Sequence, residues 1–220
     1  MRLSRQITVL ARRLASVLAV CLCASCAGVH PQSTAPAALH AYASFPGDHT
    51  LGNPNAPLVL IQYDAPTCYH CAVTLADSFP RLKAEYIDTG KVLYVYRIFP
   101  LTKADVQVES VARCLPSKVY FSFMASVLQQ QPKWSPHYGA TDVREGLAPI
   151  AHDVGLSDKE FDRCFTDSAT LDRVEREGQA AAAPFTIQGV PTFVINGEIV
   201  EGNHGWPALR DKIEEALARK

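Results

Sequence analysis

From Leu58 the chain is apolar almost without interruption, Leu58-Val59-Leu60-Ile61-Gln62-Tyr63. A short run with no alternation predicts a strand covered on both faces. After Cys71 the spacing becomes helical, with Ala72, Leu75, Ala76, Phe79, Leu82 and Tyr86 on one face. Pro80 falls inside that pattern and predicts a kink or break just before it. Thr89-Gly90 ends the helix, with Gly90 suited to the position after its last residue. Lys91 to Phe99, rich in Val, Tyr and Ile, predicts a second strand, closed by Pro100. Strand, crossover helix and strand imply a right-handed βαβ unit with a parallel pair. Thr50-Leu51 reads as a short edge strand, followed by a turn from Gly52 to Pro57.

Beyond Pro100 the pattern is helical for about ninety residues. Val108, Val111, Ala112 and Leu115 share a face, as do Tyr120, Met124, Val127 and Leu128, whose helix Pro132 should end. Pro132 to His137 reads as a loop. Val143, Leu147, Ile150, Ala151 and Val154 mark a third helix, ended by Gly155. Ser157-Asp158-Lys159-Glu160 is a capping box that opens a fourth, containing Phe161, Cys164 and Phe165. A fifth runs from about Thr170 to Ala183. Strand signals return at Gly189-Val190-Pro191-Thr192-Phe193-Val194-Ile195. Asn196-Gly197 then predicts a tight hairpin, with Glu198 to Glu201 as the returning strand. A loop over 202–205 precedes a closing helix with Trp206, Leu209, Ile213, Ala216 and Leu217 on its apolar face.

The chemistry concentrates at the junction of the first buried strand and its helix, Ala65-Pro66-Thr67-Cys68-Tyr69-His70-Cys71-Ala72. Two residues between cysteines on a first helical turn bring both sulfurs within disulfide reach. The helix N-terminus offers unpaired backbone N–H groups and the positive end of its dipole, which stabilise a thiolate on Cys68. A protonated His70 adds a second positive charge. A structural zinc site needs four ligands, and no second paired unit follows; Cys114 and Cys164 stand alone. A c-type haem site needs His directly after the second Cys, where Ala72 stands. A purely structural bridge over two residues is strained and reducible. Redox exchange is the reading these residues favour.

Residues 1–27 carry Arg2, Arg5, Arg12 and Arg13, then an apolar run from Leu14 to Leu22, then small residues, the order of a secretory signal. Two processing routes stay open. Signal peptidase can cut after Ser25 or Ala27; alternatively Leu22-Cys23-Ala24-Ser25-Cys26 is similar to a lipoprotein signal in which Cys26 is lipidated. Residues 28–48, rich in prolines and small residues, read as a disordered tether. Removing the signal takes away four arginines and no acids, so a net charge of −1 becomes about −5. That balance argues against nucleic acid and anionic membrane surfaces as partners. An exported chain also lives where disulfides persist.

A strand leading into C-x-H-C, a long helical insertion, and Gly-Val-Pro-Thr followed by Phe-Val-Ile-Asn-Gly together resemble the DsbA family of thiol:disulfide oxidoreductases. The resemblance implies an α/β, thioredoxin-like fold with an inserted all-helical domain. Residues 49–102 and 187–220 would form the thioredoxin-like part and 103–186 the insertion. On the residues alone, Pro191 is as consistent with an edge-strand proline as with a cis bond; the resemblance implies a cis Val190-Pro191 bond facing the disulfide. Val190, Pro191 and Tyr69 would face the substrate, and Cys68, Cys71 and His70 would carry catalysis. Tyr69 departs from the Pro usual in DsbA. Gln62 stands where many members carry a Glu near the second thiol, and Asp64 reads more readily as a surface loop residue than as its substitute. Some relatives carry a second disulfide in the insertion, which implies a Cys114–Cys164 bridge; two separate buried thiols are the alternative.

The family pattern requires no metal, nucleotide or flavin. It implies cysteine-containing or unfolded exported proteins as substrates, a DsbB-like membrane partner for reoxidation, a monomer, and a location in the bacterial periplasm or envelope, soluble or held through Cys26. A reductase or isomerase on the same scaffold, or a non-redox chaperone, is the alternative. Isomerases of this kind generally dimerise through an added N-terminal domain, for which residues 28–48 are too short.

Overall fold

The structure is a computed structural model that describes residues 45–201 and 205–219. Cys26, the signal and most of the tether therefore lie outside the described residues. Five strands form one mixed sheet: β1 (His49–Leu51), β2 (Leu58–Asp64), β3 (Val92–Ile98), β4 (Thr192–Ile195) and β5 (Glu198–Glu201). Their spatial order is β1-β3-β2-β4-β5. β2 and β3 are parallel, Leu58 opposite Val92 and Asp64 opposite Ile98. The other pairs are antiparallel. Asn196 and Gly197, both at positive φ, turn the β4–β5 hairpin, the left-handed pair such a two-residue turn requires.

Every residue of β2 is buried, as its unbroken apolar run requires. Leu58 and Leu60 face one core with Tyr94, Phe193 and the helices. Val59, Ile61 and Tyr63 face the other, with Leu93, Val95, Ala181 and Phe185. The crossover contains α1 (Tyr69–Asp77) and α2 (Phe79–Leu82), which continues into a π-type turn, Lys83–Ile87. The break falls at Ser78, because Pro80 sits in the first turn of α2, where no backbone N–H is needed.

The insertion packs α3 (Lys103–Cys114), α4 (Ser117–Gln129), α5 (Gln131–Trp134), α6 (Val143–Asp153), α7 (Asp158–Thr166) and α8 (Ser168–Ala182); α9 (Trp206–Ala218) closes the chain. Cys114 and Cys164 are bonded, joining the end of α3 to α7. The capping box at Ser157 and Glu160 is formed. Among the described residues, no helix is long and apolar enough to cross a membrane.

Two sequence expectations are corrected. Pro132 does not close a helix into a loop. It occupies the first turn of α5, and a 3₁₀ turn, Pro136–Tyr138, follows. Nor does order wait for His49. Phe45–Asp48 forms a turn closed by the Asp48 N–H to the Phe45 carbonyl at 3.0 Å. Asp48 then holds Arg97 through two bonds of 2.6 and 2.8 Å, both side chains buried. Two-point pairing of a buried guanidinium fixes this segment against β3.

Candidate functional site: a dithiol at a helix N-terminus

Cys68 caps the N-terminus of α1 in an extended conformation, and Cys71 lies within its first turn. Cys68 is partly exposed; Cys71 is wholly buried, at 0% exposure. Both thiols are free. The Cys68 thiol is lowered to about 6. The hydrogen bond from the Cys71 thiol contributes most, burial opposes it, and the backbone N–H groups of Cys71 and His70 and the charge of His70 add to it. Cys71 goes the other way: burial pushes its thiol far up, and the neighbouring Cys68 and Asp64 add to that. One helical turn thus divides the pair into an accessible thiolate and a proton-retaining thiol.

The Val190–Pro191 bond is cis, and the Cys68 thiol lies 3.5 Å from the Val190 carbonyl oxygen. The structure therefore brings Cys68, Cys71, His70, Val190 and Pro191 together. Tyr69 is exposed beside them, at 52%, with its ring edge-on to that of His70 at 5.4 Å. Cys114 and Cys164 stand apart as a bridge within the insertion.

Two residues of the insertion hold the active-site loop, and the sequence reading missed both. Asp105, in the first turn of α3, is fully buried. Its carboxylate accepts from the Thr67 N–H at 2.7 Å, from the Thr67 hydroxyl at 3.0 Å, and from the Leu101 and Thr102 N–H groups. Gln131, at the start of α5, donates through Nε2 to the Pro66 carbonyl at 2.7 Å and the Cys68 carbonyl at 2.9 Å. α5 is seated by Trp134, whose indole N–H bonds the Val127 carbonyl at 2.8 Å. It also needs Gly146 of α6: a Cβ there would collide with the Lys133 carbonyl and the Trp134 backbone. The loop that presents Cys68 is thus clamped from outside the thioredoxin-like part. Thr102-x-x-Asp105 was readable as a capping box, which the structure forms; no local pattern marks Gln131.

Asp64 overturns the surface-loop expectation. It is the last residue of β2 and 1% exposed. Burial raises its carboxyl to about 8, with the charge of Cys68 adding to the rise and the Cys71 thiol opposing it. Gln62 donates Nε2–H to Asp64 Oδ2 at 3.0 Å and accepts from the Tyr94 hydroxyl at 2.9 Å.

A parallel βαβ unit, a cis proline opposite a free dithiol at a helix N-terminus, and a helical insertion define a thioredoxin-fold protein with an exchange-competent cysteine pair. Comparison with known proteins agrees. The family model described as Thioredoxin matches residues 44–215, and the chain belongs to that family. Within it the chain is a DsbA-like member. Its structure superposes on Wolbachia pipientis α-DsbA1 with a TM-score of 0.74 at 27% identity, covering 83% of this chain and 96% of that one. A protein-disulfide isomerase from Novosphingobium aromaticivorans gives 0.68 at 26% identity, over 78% and 97% of the two chains. A Rickettsia felis protein, which its name proposes to be a protein-disulfide oxidoreductase, is 34% identical over 172 residues. That match covers 77% of this chain and 60% of the relative's length.

Proposed function

We propose that this chain is an exported protein thiol:disulfide oxidoreductase that forms disulfide bonds in cysteine-containing proteins. The observation that carries the reading is the asymmetry of the pair: Cys68 is accessible and lowered to about 6, while Cys71 is buried with its thiol pushed up.

In the working cycle Cys68 and Cys71 start as a disulfide. A substrate thiolate attacks Cys68 Sγ, the Cys68–Cys71 bond breaks, and its electron pair leaves on Cys71. A second substrate thiolate then attacks the substrate sulfur of the mixed disulfide. Cys68 departs as a thiolate held by the α1 N-terminus. A low leaving-group pKa speeds that departure and favours the reduced enzyme, so the pair donates its disulfide. The Val190 backbone beside Cys68 offers an extended substrate a strand-like edge. Reoxidation falls to a disulfide-bearing membrane partner of the DsbB kind. The protein acts as a monomer in the periplasm or envelope, reached through the signal over 1–27, free or lipid-anchored through Cys26. Isomerase action on the same site is the second reading, favoured by the similarity to the Novosphingobium protein.

The two are separated with a reduced, unfolded model protein that has several cysteines. The oxidised enzyme should convert substrate thiols to disulfides mole for mole, read by alkylation and mass. Were only the reduced enzyme active, and only on scrambled disulfides, the isomerase would replace the oxidase.

A further inference from the structure

The turn from Ala65 to Cys68 is closed by the Cys68 N–H to the Ala65 carbonyl at 2.9 Å. Its last residue is the N-cap of α1 and carries the attacking sulfur. An N-cap side chain ordinarily bonds the first N–H groups of its helix and so pins the turn. Cys68 makes no such bond; its sulfur lies 3.5 Å from the Val190 carbonyl oxygen instead. A side chain that must attack, leave and attack again cannot also be the fastener. The Cys68 backbone is extended, at φ −78° and ψ 120°, and α1 itself holds it through the Ala72 N–H, 3.3 Å from the Cys68 carbonyl. We propose that Gln131 is a positioning residue for exchange at Cys68: from the insertion it replaces the cap that the sulfur cannot provide, and so sets the rate and the redox balance of the pair. The inference rests on the exchange reading above and adds the group that keeps the attacking sulfur in place.

The amide of Gln131 has two hydrogens, and two carbonyls take them, Pro66 at 2.7 Å and Cys68 at 2.9 Å. The Pro66 carbonyl and the Thr67 N–H belong to one planar peptide unit. Asp105 accepts from that N–H at 2.7 Å. The unit is therefore gripped at both ends, by α5 on one side and by α3 on the other, which opposes its rotation. The second grip, on the Cys68 carbonyl, fixes the peptide on the far side of the cysteine. Gln131 is 1% exposed, so solvent does not stand in for it. Its helix is only four residues long, yet the wholly buried Trp134 anchors it and Gly146 of α6 lets it approach closely. Gln131 acts through the backbone and not on the sulfurs, which makes it a positioning residue rather than a catalytic one.

Exchange needs the attacking, attacked and leaving sulfurs in line, and a reacting group displaced by about 1 Å can lose about 10²-fold in rate. The grip is present with both thiols free. In the disulfide form the bond to Cys71 restrains Cys68 as well, so losing Gln131 falls more heavily on the dithiol. The loss leaves the buried turn short of a donor. It also lets the sulfur drift from the α1 N-terminus, whose N–H groups and dipole favour the thiolate. A less favoured thiolate is scarcer at neutral pH, leaves less readily and makes the pair more reducing.

The test compares wild type with Gln131→Met, which keeps the length and loses both donors, and with Gln131→Glu, whose carboxylate also donates to neither carbonyl. Reduced protein is mixed with oxidised glutathione, and loss of the dithiol is followed by rapid alkylation and mass. Both variants should react about tenfold more slowly at pH 7, the weight of one ordinary hydrogen bond. Their thiolate absorbance should appear at higher pH than in wild type. In glutathione buffers their equilibrium should move about tenfold towards the disulfide, which is about 30 mV. Rate, thiolate titration and equilibrium all at wild-type values in either folded variant, with only Tm lowered, would make Gln131 a structural contact and overturn the proposal. If wild type itself does not exchange, the functional reading falls and the inference with it.

Discussion

Replacing Cys68 with serine reduces thiol–disulfide exchange to the uncatalysed level, whereas Cys71→Ser retains the first step and stalls after it. Cys68 is the partly exposed sulfur at the helix N-terminus, lowered to about 6 by the Cys71 thiol, nearby N–H groups and His70. At neutral pH it is largely the thiolate, the form that attacks and leaves. A serine hydroxyl does neither under these conditions. Cys71, at 0% exposure, offers no substrate sulfur a path, so it cannot take over. Incubated with oxidised glutathione, Cys71→Ser should accumulate a one-to-one adduct on Cys68, visible by mass, because no internal thiol remains to expel it. Exchange surviving in Cys68→Ser would show that the pair is not the site and would favour a binding module with a structural disulfide.

The second large effect lies in stability. Replacing Cys114 and Cys164 together with alanine should destabilise the protein by about 4 kcal/mol, the chain-entropy value for a closed loop of this size. The bridge spans 50 residues. For a domain of this length that corresponds to a fall of roughly 8–16 °C in Tm. The fold should survive. α3 and α7 keep the Ser110 hydroxyl bond to the Cys164 carbonyl at 2.6 Å and the buried contacts around Val111, Phe161 and Phe165. Alanine suits the Cys164 site because that side chain is 1% exposed and a serine hydroxyl there would need a partner. Cys114 is exposed at the end of α3 and tolerates the change. A differential scanning measurement in which Tm moves by less than 2 °C would show that the insertion is held by packing alone.

The elements that position the site were legible because each has a local cause. The apolar run of β2, the helical spacing after Cys71, the break before Pro80 and the Asn196-Gly197 turn are all short-range patterns, and all four occur where the chain predicts them. The placement of Cys68 and Cys71 together was local in the same sense, since two intervening residues on a first helical turn bring them to one place. The cis Val190–Pro191 bond and the Cys114–Cys164 bridge came from the resemblance, because neither has a local signature.

Asp64, Asp105 and Gln131 were misread or missed for one physical reason. A polar side chain at the end of a strand or the start of a helix looks solvated in sequence. Its burial is decided by elements far along the chain: α4 over Asp64, and the loop before Cys68 over Asp105 and Gln131. β2 also hides its own polarity, because a strand covered on both faces shows no alternation to betray a buried carboxyl. A signal did exist for Asp64. The run from Leu58 predicts a strand covered on both faces, and Asp64, two residues beyond Gln62 on the same face, ends that buried strand.

The measurement that tests the central claim most directly is the reduction potential of the Cys68–Cys71 pair. The protein is equilibrated in graded glutathione buffers at pH 7 and read by alkylation and mass. Lowering the accessible thiol to about 6 places it between thioredoxin, near 7, and DsbA, near 3.5. Thiolate stabilisation at neutral pH favours the reduced form, so the potential should fall between about −270 and −120 mV, on the oxidising side of thioredoxin. A value at or below about −270 mV would contradict the account, since the dithiol would then be a reductant and the stabilised Cys68 thiolate would not make it a disulfide donor.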